Sequence, residues 1–220
     1  MKRLSKAEQR RHAERVVNHL AQLYPEAKCS LHFKSPLQLL IATILAAQCT
    51  DERVNQVTPA LFKKYPDAHA FAQAKPEELE QLIKSAGFYR AKAKNIIGCC
   101  KALVEHHGGE VPRTLEELVP LPGVGRKTAN VVLGNCFGVP GMVVDTHMIR
   151  LSNRLGLTRE STPEKIEQDL MALMPDSEWT SFGHRIIYHG RKVCQARKPD
   201  CDHCTLKEFC PKVGVEPTGK

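Results

Sequence analysis

The chain has 220 residues, enough for one large or two small domains with a substantial buried core. Lysine and arginine outnumber aspartate and glutamate by 32 to 24, and the formal charge of +8 points to a polyanionic partner, nucleic acid ahead of an anionic membrane surface. The basic start MKRLSKAEQRR is not followed by the apolar run of roughly 7 to 15 residues that a secretory leader needs, and the most apolar stretch, residues 37–47, is interrupted by Gln38 and Thr43 and falls short of the roughly 20 residues that span a bilayer, so a cytoplasmic protein with no membrane segment is expected.

In chain order, Ser5 and Glu8 have capping-box spacing and open a first helix to about Leu23, with Pro25 beyond it. Ser35, Pro36 and Gln38 start a second, strongly apolar helix. Asp51 opens a third, whose pattern restarts at Thr58-Pro59. Asp67 and the segment Lys75-Pro76-Glu77-Glu78 start two short helices, the last closing near Gly87. Over residues 89–107, Ile96, Ile97, Cys100, Leu103 and Val104 recur at helical spacing, with Gly108-Gly109 as the stop. Thr114 and Glu117 cap a short helix ending near Val119, which Pro120 and Pro122 forbid to continue. After an interruption at residues 138–141 come helices at about 146–155, from Ser161 to Glu164 onward, and at about 178–193. No segment alternates with period two between hairpin turns, so the fold class is all-α.

The stretch LPGVGRKTANVVL, residues 121–133, is a glycine-punctuated turn opening into a helix. The backbone N–H groups of Gly123, Val124 and Gly125 are expected to converge on an anion, with Arg126 and Lys127 in the first turn that follows. Apolar flanks on both sides (Leu118, Val119, Leu121; Ala129, Val131, Val132, Leu133) tie the turn to a core. An ordinary helical hairpin would use the same glycines, and Lys127 would then be a phosphate contact. A second reading makes it a nucleophile, because a helix N-terminus, the neighbouring Arg126 and partial withdrawal from water all disfavour an ammonium. Asp145 follows Val143-Val144 and precedes a helix, the position of an N-cap.

Nine cysteines are present, four of them within the last 27 residues as Cys194, Cys201, Cys204 and Cys210, a C-x6-C-x2-C-x5-C pattern. In a reducing compartment this lopsided spacing reads as metal ligation, with zinc and an iron-sulfur cluster both open. A zinc knuckle usually shows two tight C-x2-C pairs, and here there is one. His203 is a competing ligand but reads as a solvent-facing loop residue, and Cys29, Cys49, Cys99, Cys100 and Cys136 read as small buried hydrophobes. The bulge at 195–200 exposes Arg197 and Lys198.

Taken together, LPGVGRKTA, the VDTH at Val144 to His147 and the late cysteine loop resemble the endonuclease III family of helix-hairpin-helix base-excision DNA glycosylases, over nearly the whole chain. The resemblance implies a six-helix barrel domain at 29–139 holding the hairpin at about 115–134, a discontinuous [4Fe-4S] cluster domain from 1–28 and 140–220 with its loop at 194–210, and a DNA cleft between them. It implies a bifunctional enzyme: an N-glycosylase for oxidised pyrimidines and a lyase cleaving 3′ to the abasic site by beta-elimination, acting as a monomer on damaged double-stranded DNA. Lys127 becomes the catalytic nucleophile, Asp145 the catalytic aspartate, and Cys194, Cys201, Cys204 and Cys210 the cluster ligands. Gln48, Asp51 and Phe88 match positions that enter the duplex or organise the cleft, and Gly123, Gly125, Arg126, His147, Arg197 and Lys198 become further DNA contacts.

Phe88 is a departure, since an aliphatic wedge is common there, and it leaves lesion and opposite-base preference open. Apart from the resemblance, Phe88 reads as a core aromatic, Gln48 as a helix-surface amide and Asp51 as a cap. Among relatives, adenine glycosylases lack the lysine, and typical oxidised-purine glycosylases lack the cluster loop. A non-catalytic helix-hairpin-helix DNA-binding protein is the alternative outside enzymes.

Overall fold

The computed structural model describes residues 5–215, which contain helix, turn and loop and no strand. The helices are α1 (Lys6–Leu23), α2 (Pro36–Ala46), α3 (Asp51–Lys64), α4 (Ala68–Ala72), α5 (Pro76–Ile83), α6 (Tyr89–His107), α7 (Leu115–Leu118), α8 (Arg126–Val132), α9 (Thr146–Arg154), α10 (Pro163–Leu173) and α11 (Asp176–Lys192). A 3-10 turn, Lys84–Ala86, extends α5, and a π-turn, Leu133–Phe137, extends α8. The fold is therefore all-α. No helix among the described residues is long and apolar enough to cross a membrane.

Side-chain caps explain most of the helix starts. Ser5 and Glu8 satisfy each other's orphan N–H groups at α1. Ser35, Asp67, Thr114 and Asp145 each accept a backbone N–H three residues on, fixing the starts of α2, α4, α7 and α9. At α3 the cap is Thr50, which accepts from the Arg53 N–H; Asp51 lies inside the first turn, one residue later than a cap. α3 also runs unbroken through Pro59, where the sequence pattern restarts. Proline removes one helical hydrogen bond there, but burial of Val57, Thr58 and Leu61 on the same helix outweighs that loss.

The chain divides into two compact units, Cys29–Val139 and a discontinuous pair, Met1–Lys28 with Pro140–Lys220. The ends of the second, residues 1–4 and 216–220, lie outside the described residues. In the first unit α2 is the innermost element, with Leu39, Leu40, Ile41, Ala42 and Leu45 fully buried, and it packs on α3, α6 and α8. In the second, α1, α9, α10 and α11 enclose Ala13, Leu20, Leu151, Ile166, Phe182 and Ile186.

α6 crosses the hairpin turn at very short range. A Cβ placed on Gly98 would lie 3.3 Å from the Pro122 ring, and one on Gly123 would lie 2.8 Å from Asn95 Cβ. Gly123 also has φ +77°, which only glycine adopts at little cost. Gly125 differs, with φ −89° and nothing within 4 Å of the place a Cβ would occupy. Gly123→Ala is therefore expected to destabilise the protein by about 2 kcal/mol. Gly125→Ala should leave stability within about 0.5 kcal/mol. Thermal unfolding of the two variants side by side measures the contrast.

Candidate functional site

The hairpin tip is carried by α7, the turn and α8. Leu118, Leu121 and Val124 on the way in, and Ala129, Val132 and Leu133 on the way out, are buried and hold the turn to its core. Val119 is not part of that anchor, being 41% exposed at the C-cap of α7. Pro122, Gly123, Gly125, Arg126 and Lys127 are exposed. Of the three N–H groups expected to face an anion, that of Val124 is committed to the Leu121 carbonyl at 3.0 Å. No backbone acceptor among the described residues takes the N–H of Gly123 or Gly125. α8 begins without a side-chain cap. With no internal steric reason for glycine at position 125, its lack of a Cβ leaves room for an outside ligand to touch the backbone.

Lys127 lies in the first turn of α8 and is exposed, because the face of α8 turned to the core carries Ala129, Asn130 and Val132. The partial withdrawal from water expected for it is absent in the free protein. Asp145 is half-buried, and its Oδ1 accepts the Met148 N–H at 2.8 Å, so the carboxylate is fixed as the N-cap of α9. His147, in the same turn, is held through Nδ1, 3.1 Å from Arg150 Nη2. A guanidinium only donates, so Nδ1 is the acceptor and the imidazole proton is on Nε2.

Gln48 and Phe88 share an uncommon backbone. Both are exposed and left-handed, with φ 54° and 47°, a conformation that costs a non-glycine residue on the order of 1 kcal/mol or more. Phe88 is not a core aromatic. It follows Gly87 (φ 71°) as the N-cap of α6, and this reversal turns the ring outward to 67% exposure. Asp51 acts inside its unit, accepting the Ser30 hydroxyl at 2.6 Å, while Asn55 one turn later accepts from His32 N and donates to Ser30 O, both at 2.8 Å.

Cys194, Cys201, Cys204 and Cys210 line one cavity with about 400 Å³ of empty space, part of it open to solvent, together with Arg154 and His189. Among the described residues no three His, Cys, Asp or Glu side chains converge on a single metal ion. One zinc would draw its ligand sulfurs to within about 4 Å of each other, given Zn–S bonds of about 2.3 Å. The four cysteines lining one cavity supply the soft sulfur donors that a thiophilic metal centre takes. Burial pushes the Cys204 and Cys210 thiols up, N–H groups of Leu206 and Lys212 oppose this, and the neighbouring cysteine charges raise them again. A cationic centre among the sulfurs would relieve that repulsion. His203 is exposed and paired through Nδ1 to Asp200 at 2.8 Å, outside the sulfur set.

The loop is held from α9 and α11. Arg154 donates to Gln195 O at 2.7 Å, Ala196 O at 2.8 Å and Cys194 Sγ at 3.4 Å, and Arg150 donates to Cys194 O at 3.1 Å. Burial keeps His189 neutral by lowering its pKa to about 4. The Tyr24 hydroxyl, its pKa raised by burial, lies 3.1 Å from His189 Nδ1, and Nε2 lies 3.6 Å from Cys204 Sγ, so the imidazole links the two. α11 can lie this close to α9 because Gly190 has no Cβ; one there would be 2.6 Å from His147 Nδ1. Arg197 and Lys198 are exposed on the same loop.

Sequence reasoning passed over Arg150, Arg154 and Lys92. Lys92 is 4% exposed, and its Nζ donates to Leu45 O and Ala86 O, both at 2.8 Å. The signal was available, because Lys92 falls on the same stripe of α6 as Ile96, Cys99 and Leu103, where a charge has no place unless it has partners.

Residues 41–176 match the HhH-GPD superfamily base excision DNA repair protein family. The chain belongs to that superfamily, whose name describes the hairpin above. It is 57% identical over 206 residues to endonuclease III of Synechocystis sp., covering 93% of this chain and 94% of that one. It is 46% identical over 198 residues to endonuclease III of Bacillus subtilis, covering 90% of each. Its fold is similar, with a TM-score of 0.89 and 44% identity over 96% of this chain and 97% of the other, to that in a structure of a trapped endonuclease III-DNA covalent intermediate.

Arg154→Met, which keeps the aliphatic stem and removes the donors, should loosen the cysteine loop. Limited trypsin digestion is expected to cut faster after Arg197 and Lys198 in the variant than in the parent, with stability lower by at least about 2 kcal/mol. Equal digestion rates would show that the loop is held by other means.

Proposed function

We propose that this chain is a bifunctional DNA glycosylase and abasic-site lyase for oxidised pyrimidines, acting on damaged double-stranded DNA inside the cell as a monomer. The observation that carries the reading is the hairpin tip: an exposed lysine one turn from two uncommitted backbone N–H groups, beside a glycine that the fold itself does not require. We assign the Cys29–Val139 unit as the barrel domain and the discontinuous unit as the cluster domain.

In this mechanism a damaged nucleotide leaves the stack and its sugar C1′ is attacked by the neutral amine of Lys127. The C1′–N bond to the base breaks and the base departs with one amine proton; the C1′–O4′ bond then breaks as the sugar ring opens, O4′ takes a proton, and a Schiff base is left between Lys127 and C1′. Loss of a proton from C2′ then expels the 3′ phosphate, which is strand cleavage. Lys127 is exposed in the free chain, so the desolvation that favours its neutral form has to come from the bound duplex. Asp145, held by the Met148 N–H, stays a fixed anion that stabilises positive charge developing on the sugar. The Gly123 and Gly125 N–H groups and Arg126 bind phosphate; His147, Arg197 and Lys198 add contacts to the strand; Gln48 and Phe88 enter the duplex, with Asp51 bracing the loop beneath.

We assign Cys194, Cys201, Cys204 and Cys210 as ligands of a [4Fe-4S] cluster. When bound, the cluster supplies a rigid cross-link of the loop that presents Arg197 and Lys198. The purified protein should absorb in the visible, and colourless but fully metallated protein would decide for zinc.

Borohydride should trap a covalent adduct between the enzyme and a duplex carrying an abasic site, and Lys127→Ala should abolish it. Trapping that persists in that variant refutes the nucleophile; binding without any cleavage by the parent would leave a DNA-binding module. Neutralising Arg197 and Lys198 together should lower the slope of log K against log salt by about 0.9 for each phosphate that the loop no longer neutralises. An unchanged slope removes both from the interface.

A further inference from the structure

Lys92 is the buried charge that the mechanism leaves unused. It stands in the first turn of α6, and its backbone N–H donates to Phe88 O at 3.0 Å. Its ammonium reaches back past that turn to Ala86 O, two residues before Phe88, and across to Leu45 O, three residues before Gln48. Both carbonyls belong to segment ends, the last turn of α2 and the 3-10 turn, where no intrahelical N–H is left to satisfy them. Among the described residues these carbonyls are the hydrogen-bond partners of the ammonium, with no carboxylate. Burial lowers its pKa below the ordinary lysine value, and it stays inside because two carbonyls, at the negative ends of two helical segments, compensate.

A buried lysine is a poor way merely to fill space, since an apolar residue would do that without desolvating a charge. What it does, and an apolar residue cannot, is hold two separate backbone segments to one atom. Those segments lead into Gln48 and Phe88, the two exposed non-glycine residues of this unit with left-handed backbone. We propose that Lys92 is a positioning residue for nucleotide extrusion: by tying Leu45 to Ala86 it fixes the spacing of the Gln48 and Phe88 loops, so that both side chains enter the duplex together. The inference rests on the reading of Gln48 and Phe88 as the inserted residues. Base steps are stacked about 3.4 Å apart, and a misplacement of about 1 Å can cost on the order of 100-fold in rate, so the spacing has little tolerance.

The test is a double-mutant cycle between Phe88→Ala and Lys92→Met, which keeps chain length and removes the donors. Single-turnover base excision from a duplex with one thymine glycol is compared with strand cleavage of the same duplex carrying a preformed abasic site, where there is no paired base to extrude. Phe88→Ala tests the underlying reading by itself: if it leaves excision unchanged, insertion by Phe88 is wrong whatever Lys92 does. With that reading intact, Lys92→Met should slow excision roughly 10- to 100-fold and abasic cleavage less than about 3-fold. The double variant should be no slower than about 3-fold below Phe88→Ala. Multiplicative loss in the double variant, or equal loss on both substrates, would overturn the positioning role and leave Lys92 a support of the fold. Should Lys92→Met not fold, Lys92→Gln, whose uncharged amide is too short to reach both carbonyls as the ammonium does, takes its place in the cycle under the same criteria.

Discussion

The packing on which the Cys29–Val139 unit depends is the crossing of α6 over the hairpin turn. Gly98 meets Pro122, and Asn95 meets Gly123, at distances that leave little or no room for a Cβ on either glycine. At its N-terminus the same helix is capped by Phe88 and holds the buried Lys92. Seven helical steps lead from Phe88 to Asn95, a rise of about 10 Å. An α-helix stretches very little, so the exposed aromatic and the glycine turn keep their spacing through any motion that does not melt α6. A loop connecting the two would have given no such reference, because each of its residues adds two soft dihedrals.

The discontinuous unit solves a different problem. Its last segment, residues 194–210, has no regular helix or strand and buries a single residue fully, Leu206. A stretch of that length with so little apolar packing would be mobile unless tied down. Arg150 and Arg154, one turn apart on α9, supply guanidinium donors to the backbone of residues 194–196, and His189 Nε2 pairs with Cys204 Sγ. These hold the entrance of the loop with the Cys194 and Cys204 sulfurs, and Cys210 Sγ reaches Arg154 O at 3.5 Å; a metal cross-link would tie in Cys201 as well.

Much of this was legible in the sequence because local signals agreed with one another. Ser5 with Glu8, Ser35 with Pro36, and the apolar stripe of α6 bounded by Gly108 each fix a boundary without reference to the rest of the chain. The readings that failed were those requiring a direction. Periodicity cannot say that Gly87 and Phe88 both take positive φ, so an aromatic that suits a core ends up in solvent. Nor can a glycine-rich motif say which N–H groups remain uncommitted, and Val124 uses its own to close the turn on Leu121. The continuous course of α3 through Pro59 depends on burial of the residues around it, which no local signal carries. The membership of Lys92 in an apolar stripe was visible as a conflict, but its resolution by Leu45 O, 47 positions away, was not.

Strain is distributed unevenly among the described residues, and its distribution is an argument about function. The non-glycine residues with positive φ are Gln48, Phe88 and Lys212. The first two carry the side chains we assign to the duplex, and the third follows Cys210, whose sulfur its N–H faces. None of these gains a compensating burial: Gln48 is exposed, Phe88 is 67% exposed and Lys212 is exposed. An exposed left-handed phenylalanine is unfavourable twice, in its backbone and in the apolar surface it leaves in water. Among the described residues no burial returns that loss, and the proposed insertion of Phe88 into the duplex would supply a state in which the ring is covered. A stacked base on either side of an opened step is such a cover, and the same apolar surface that weakens the free protein then favours the bound one.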